Sequence, residues 1–234
     1  EMKSLVIYHA NCTDGFGAAF AAWLKLGDEA EYLPMEYNKN PNNYFGGRPI
    51  AQWARDTDVY ILDFSFPRKV MDALFKHAKR VVWLDHHKTA FEMWCSKAPD
   101  LFFTVHKEAD DQKHIVLDDC KSGALLAWEY FHPGTEVPML IQHIDDYDRW
   151  QFKLIGTKEL HAAFASYKPW TFDKWKVWLN DWDLMHRDDM VLEGLAVLRA
   201  HNQNVQAALK QARACEIRWG EIFATADNTP AVRK

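Results

Sequence analysis

Three apolar runs of strand length constrain this chain most. Residues 4–9 (SLVIYH), 59–64 (VYILDF) and 80–84 (RVVWL) are continuous apolar segments rather than alternating ones, the pattern of strands buried on both faces of a sheet. Between them lie segments with helical character. Residues 15–26 are rich in alanine, and residues 68–79 carry helical periodicity behind Pro67, which suits a first helical position. Residues 31–36 form a second strand candidate. Residues 38–47, polar with Pro41 and a glycine pair, read as a loop. This strand–helix rhythm predicts an α/β fold with a mostly parallel sheet flanked by helices. Residues 101–105 and 115–117 are weaker strand candidates around a charged loop. Helices are expected over residues 122–131, stopped by Pro133-Gly134, and over 138–150. Beyond Trp150 only helices are expected, over 158–166, 172–181 and, longest, 190–222, so a helical C-terminal segment follows the α/β part.

The composition narrows the function. The 234 residues suit one large domain, and 48% hydrophobic with 26% charged residues exclude disorder of the whole chain. A net charge of −5 argues against a broad, sequence-blind duplex-DNA binder. The uncharged stretch Gly15 to Leu24 is half the length of a bilayer-spanning helix, which needs about 20 residues. No membrane association and no signal peptide are therefore expected. Cys12, Cys95, Cys120 and Cys215 are scattered and form no CxxC pair. That excludes a zinc knuckle or a disulfide framework and points to a reducing, cytoplasmic setting. The eleven tryptophans are read mainly as core and helix-packing residues.

The polar residues that draw notice stand at strand ends. His9 closes the first run and Asp14 opens the helix after it. Asp63 stands near the end of the 59–64 run, and Asp85, His86 and His87 follow the 80–84 run. In an open α/β sheet, ligands bind at the C-terminal strand edge. Asp145, Asp146 and Asp148 can join from a helix end. Singly, each has an ordinary explanation: a strand-end hydrogen bond for His9, a helix cap for Asp63, a solvated helix end for the last three. Together, carboxylates and imidazoles at three strand ends suit two divalent cations, Mn²⁺ first and Mg²⁺, Co²⁺ or Zn²⁺ as alternatives. Such a pair activates a water for attack on phosphorus.

Four segments appear in order: YHANCTDGFGAA (8–19), ILDFSFP (61–67), LDHHKTA (84–90) and HIDDYDRW (143–150). In these segments, and in SGALLAWEYFHP (122–133), the chain resembles the DHH phosphoesterase superfamily over residues 4–150. The resemblance implies a Mn²⁺-preferring phosphohydrolase domain over residues 1–185. Residues 186–234 would be a long helix and tail leading toward a substrate-binding domain. By motif, His9 would bind the first metal, Asp14 and His86 the second, and Asp63 would bridge them. Asp146 would complete the second position, with Asp145 and Asp148 competing for that role. His87 would contact the substrate phosphate, oriented by Asp85. Two departures stand out. Cys12 occupies the place where members usually have the first of two aspartates, and His9 is one residue closer to Asp14 than is usual; the alternatives are a neutral oxygen from Asn11, a thiolate from Cys12, or a weak first site that leaves a one-metal enzyme or is completed by substrate. The Gly-Gly-Gly-His type motif of the substrate-binding domain does not occur.

The expected substrate is a small nucleotide phosphodiester: a short single-stranded oligoribonucleotide or a linear or cyclic dinucleotide. Lys88, Arg149 and Arg68 are the candidate phosphate contacts. Tyr147, Trp150 and Phe64 are candidates for stacking a base. Two other classes stay open: a phosphoanhydride hydrolase acting on pyrophosphate or polyphosphate, and a weakened relative that binds and sequesters a nucleotide. A homodimer is compatible with the sequence, although no dimer face is legible in it.

Overall fold

A computed structural model describes residues 4–37, 39–94, 106–109, 112–182 and 187–211. The first apolar run is β1 (Ser4–His9), followed by α1 (Thr13–Leu26) and β2 (Ala30–Met35). A 3₁₀ turn over Pro41–Phe45 sits inside the segment expected to be a loop. The Asn40 side chain accepts the Asn42 N–H at 3.0 Å there, and Gly46 closes the turn at φ 64°. Next come α2 (Ile50–Trp53), β3 (Asp58–Leu62), α3 (Arg68–His77) and β4 (Arg80–Asp85). Pro67 is the N-cap of α3, one residue earlier than its expected place. Then follow α4 (Lys88–Trp94), β5 (His106–Ala109) and β6 (Lys113–Leu117). The helical part comprises α5 (Gly123–Phe131), α6 (Met139–Asp148), α7 (Thr157–Ser166), α8 (Phe172–Asn180) and α9 (Arg187–Gln211).

The strands form one sheet in the order β2-β1-β3-β4-β6-β5. All neighbours pair in parallel except β5 with β6. The expected α/β class with a mostly parallel sheet is therefore what the chain adopts. Strand β5 lies in the segment read as a charged loop. As a short edge strand it needs no apolar run, so periodicity could not reveal it. The candidate strand at 101–105 lies outside the described residues, as do the end of the expected helix 190–222 and the tail.

The period of two along a strand divides each apolar run between two cores. Val6, Tyr8, Tyr60, Leu62, Val82 and Leu84 face one core with α1, α5, α6, α7 and α8. Leu5, Ile7, Val59, Ile61, Val81 and Trp83 face the other, with α2, α3 and α4. In the first core the buried Trp175 gathers Phe16, Phe20 and Phe164, with ring centroids 4.8, 5.7 and 5.9 Å away. The expectation that tryptophans serve mainly as packing holds for Trp53, Trp83, Trp128, Trp175, Trp178 and Trp182, all buried.

Helix α9 seats on α7 through Gly194, where a Cβ would meet the Glu159 carbonyl oxygen at 1.8 Å. On an unconstrained helix, glycine to alanine stabilises by about 0.5–1 kcal/mol. Here the sign reverses, because backbone cannot retreat as a flexible side chain can. Gly194→Ala is expected to lower unfolding stability by about 1–3 kcal/mol in urea titration; a stabilised variant would show that α9 does not rest on α7.

Candidate metal centre

The sheet order reverses direction beside β1, which leads to β2 on one side and pairs with β3 on the other. Such a switch point opens a crevice at the carboxyl ends of the strands. His9 ends β1, Asp63 follows β3, and Asp85, His86 and His87 end or follow β4. The chain leaves β1 through Asn11 at φ 59° and enters α1 with Cys12 as N-cap. Asp14 then falls in the first turn of α1. A Cβ at Gly15 would lie 2.2 Å from the His9 carbonyl oxygen, so this close return requires glycine.

Asp63 itself has φ 53°, a left-handed conformation that costs energy for a residue with a Cβ. Three neighbours hold it there. Its N–H donates to the Leu84 carbonyl at 2.9 Å. The Trp83 indole N–H pins the next residue by donating to the Phe64 carbonyl at 3.0 Å. Gly123 leaves room for its side chain, since a Cβ there would lie 2.4 Å from the Asp63 Cβ.

The Asp63 carboxylate, 1% exposed, divides the site in two. Oδ1 lies 3.1 Å from His86 Nε2 and 3.7 Å from His87 Nδ1. Oδ2 faces His9 Nδ1 at 3.5 Å. His86 Nε2 is also 3.4 Å from Asp14 Oδ2 and 3.5 Å from Asp148 Oδ2. Two donors each about 2.1 Å from one cation and about 90–110° apart lie about 3.0–3.4 Å from each other. The spacings around His86 match that figure closely. On the other side, the ligand atoms of His9, Cys12 and Asp63 lie within 4.8 Å of one another. The buried His9 Nδ1 and Asp63 Oδ2 have no hydrogen-bond partner. Orphaned polar atoms in a cluster of nitrogen, oxygen and sulfur donors fit a divalent cation.

The supports of these donors are specific. Asp14 sits at the N-terminus of α5, its Oδ2 and Oδ1 accepting the Gly123 and Ala124 N–H groups at 2.7 and 2.8 Å. Asp85 Oδ1 accepts the backbone N–H groups of His86 and His87 at 2.8 and 3.1 Å, and the His87 ring nitrogen Nδ1 donates to it at 2.7 Å. His87 thus presents its other ring nitrogen away from Asp85. Burial and the Asp63 and Asp148 charges raise Asp14 well above the ordinary carboxylate value. Burial also works against Asp63, but the imidazoles, His86 first, hold it down at about 2. For His86, burial lowers the imidazole, yet Asp63, Asp14 and Asp148 push it up to about 10.

The fourth motif requires a correction. Asp146 does not face the crevice. Its carboxylate accepts from the Lys153 N–H, the Leu154 N–H and the Thr157 hydroxyl at 2.8, 3.1 and 2.6 Å. Positions two apart on a helix point about 200° apart, so Asp148, not Asp146, reaches His86 and Asp14. Asp145 lies behind the site, accepting the Ser122 N–H at 2.8 Å and pairing with Arg149 at 3.2 Å.

Arg149 lines a recess of about 340 Å³ with His86, Asp119, Asp148 and Gln151, beside the donors. Lys88 lines a smaller recess with His86, Phe91 and Asp119. Arg68 is not brought in: it pairs with Asp72 at 2.9 Å and covers the Trp94 ring at 4.2 Å. Tyr147 is stacked on His161 at 3.4 Å, Phe64 is buried behind His9, and Trp150 is 75% exposed.

Sequence reading missed Tyr37, whose ring meets His9 at 5.0 Å and stacks on Phe64 at 4.8 Å. It also missed a cleft of about 640 Å³ whose wall includes Ala10 and Asn11, the residues between His9 and Cys12. Tyr8, Phe16, Tyr44 and Trp170 line it, and Lys168 donates to the Asn11 carbonyl at 2.9 Å. No local signal marks these residues, because they meet only through the fold.

No known protein-family profile matches the chain. The chain is 30% identical over 189 residues to an uncharacterized protein, R106, of Acanthamoeba polyphaga mimivirus. The match takes in 77% of this chain and 41% of that protein, so the chain spans less than half of the relative's length. An uncharacterized protein from Helicobacter pylori G27, solved as a crystal structure, is similar in fold with a TM-score of 0.52 at 13% identity. That match covers 85% of this chain and 62% of the other.

The two aspartates of α6 give a sharp test. Asp148→Asn is expected to weaken divalent-cation binding about 10-fold or more while leaving the metal-free protein as stable as the parent, since it relieves repulsion among carboxylates. Asp146→Asn should instead cost about 1–3 kcal/mol of stability, through its lost backbone and Thr157 bonds, and spare cation affinity. Calorimetric titration and thermal unfolding of both variants read the difference.

Proposed function

We propose that this chain is a metal-dependent phosphodiesterase of the DHH type acting on small nucleotides, short oligoribonucleotides or dinucleotides. One observation carries the reading: the buried Asp63 carboxylate offers one oxygen to the His9–Cys12 group and the other to the Asp14–His86–Asp148 group. That is the arrangement of a bridging ligand between two cations. When bound, such a pair supplies an acidified water and neutralises charge on the phosphoryl oxygens.

The chain's own residues divide the remaining tasks. Asp85 fixes the His87 ring so that its free nitrogen can meet a phosphoryl oxygen. Burial opposes a charged His87, but Asp85 and Asp63 raise its proton affinity on balance, which favours donation to an anion. Arg149, already oriented by Asp145, stands beside Asp148 to take a second phosphate oxygen. The aromatic cleft next to Asn11 supplies faces for a base and the Lys168 ammonium for a neighbouring phosphate. This cleft favours a nucleotide over pyrophosphate, which has no base to stack. The −5 net charge does not favour long duplexes.

Hydrolysis of dinucleotides, cyclic dinucleotides, short RNA and pyrophosphate with Mn²⁺, then with EDTA, tests this directly. Turnover of a nucleotide that EDTA abolishes is expected, with Asp63→Ala and His86→Ala each losing about 100-fold or more. Preference for pyrophosphate would overturn the substrate class, and nucleotide binding without turnover would mark a sequestering protein.

The His86 proton gives a second readout. In the metal-free protein it is held up to about 10, so a cation must displace it. Apparent affinity should therefore rise with pH across the neutral range. Binding heats measured in buffers of different ionisation enthalpy should report at least one proton released per pair of cations.

A further inference from the structure

The two sides of Asp63 offer chemically different donors. On the His86 side stand the His86 imidazole and the carboxylates of Asp14, Asp63 and Asp148, with His87 Nδ1 3.7 Å from Asp63 but held by Asp85, an oxygen-dominated set suited to Mn²⁺ or Mg²⁺. On the His9 side stand one imidazole, one carboxylate oxygen and the Cys12 sulfur, the donor types that zinc takes. We propose that the Cys12 thiolate is a ligand at the first position and makes that position selective for a thiophilic cation of the Zn²⁺ class, so that the two cations of the centre differ. This rests on the two-cation reading above.

Several observations converge on Cys12. The orphaned His9 Nδ1 and Asp63 Oδ2 belong to the same group, and Asp63 is 1% exposed. A structural cysteine behaves as a small hydrophobe and sits among apolar groups. Cys12 instead faces polar groups: its sulfur and the ligand atoms of His9 and Asp63 lie within 4.8 Å of one another, beside the buried Asp63 carboxylate. As N-cap of α1, Cys12 also stands at the positive end of that helix, which favours a thiolate. A cation between the sulfur and the carboxylates turns their repulsion into shared attraction. On binding, the sulfur–hydrogen bond breaks, the proton leaves to solvent, and the sulfur electron pair goes to the cation. The turn at Asn11 and the close return at Gly15 hold the sulfur toward His9 rather than toward the core.

Cobalt reports the difference, because a thiolate bound to Co²⁺ gives a near-ultraviolet charge-transfer band that oxygen and nitrogen ligands do not. The full chain, stripped of metal by chelator, is titrated with Co²⁺. The band is expected to grow to one equivalent, to be removed by Zn²⁺ and to resist excess Mn²⁺. It should vanish in Cys12→Ser and Cys12→Asp, both still binding Co²⁺ by their visible d–d absorption, and persist when Cys95, Cys120 and Cys215 are all changed to Ser. Cys12→Asp should also lower the preference for Zn²⁺ over Mn²⁺ by about 10-fold or more, since losing a direct ligand costs at least as much as losing its support. Cobalt bound without the band, or a band that survives Cys12→Ser, overturns the thiolate site and leaves the two-cation reading standing. No cobalt bound at all overturns both.

Discussion

The Asp63 carboxylate lies buried between the imidazoles of His9 on one side and His86 and His87 on the other. A buried anion persists only where opposite charge and hydrogen bonds replace the water it has lost. Everything around it serves that condition. The strained left-handed backbone at Asp63 aims the carboxylate back across the strand ends rather than along β3. The Trp83 indole holds the residue after Asp63, and α5 begins with Gly123 because any Cβ there would strike the Asp63 side chain.

The same helix start solves a second problem. Asp14 and Asp63 are like charges in one crevice, and burial worsens their repulsion. The N-terminus of α5 places two N–H donors on Asp14, and Ser122 caps that terminus by accepting the Leu125 N–H at 3.3 Å. Asp145 accepts the Ser122 N–H from α6. Three helices, α1, α5 and α6, are thus tied together through the carboxylates of Asp14 and Asp145. The tie explains why the helices after β6 belong to the site although they contribute no strand.

The strands were legible because an apolar run bounded by polar residues has few other readings, and the strand-end histidines and aspartates followed from where such runs stop. The α6 aspartate was not legible. Asp145, Asp146 and Asp148 are adjacent in sequence, and only the rotation of the helix, set by Ile144 and Ile141 seating in the core, decides which reaches the crevice. Thr157, eleven residues on, takes Asp146 away. The edge strand β5 escaped because its pairing with β6 needs no side-chain pattern. The aromatic cleft escaped because Tyr8, Tyr44 and Trp170 come from three separate stretches of the chain: β1, the 3₁₀ turn and the connection between α7 and α8. Motif spacing reports what one element does alone; it is silent where two elements must meet.

A chain of net charge −5 that concentrates carboxylates at its crevice repels a phosphodiester. The His86 imidazole is already engaged by three carboxylates. Arg149 is paired with Asp145 and Lys88 lies 3.6 Å from Glu92. On the proposed function, bound cations would offset this negative charge, so the recess beside Arg149 would draw a phosphate only once they are held by these residues. The aromatic cleft is exempt from that order, because a base stacks on a neutral face. On that same proposal the cleft would hold the base and the carboxylate cluster the phosphate, with recognition and chemistry divided along the short turn between His9 and Cys12.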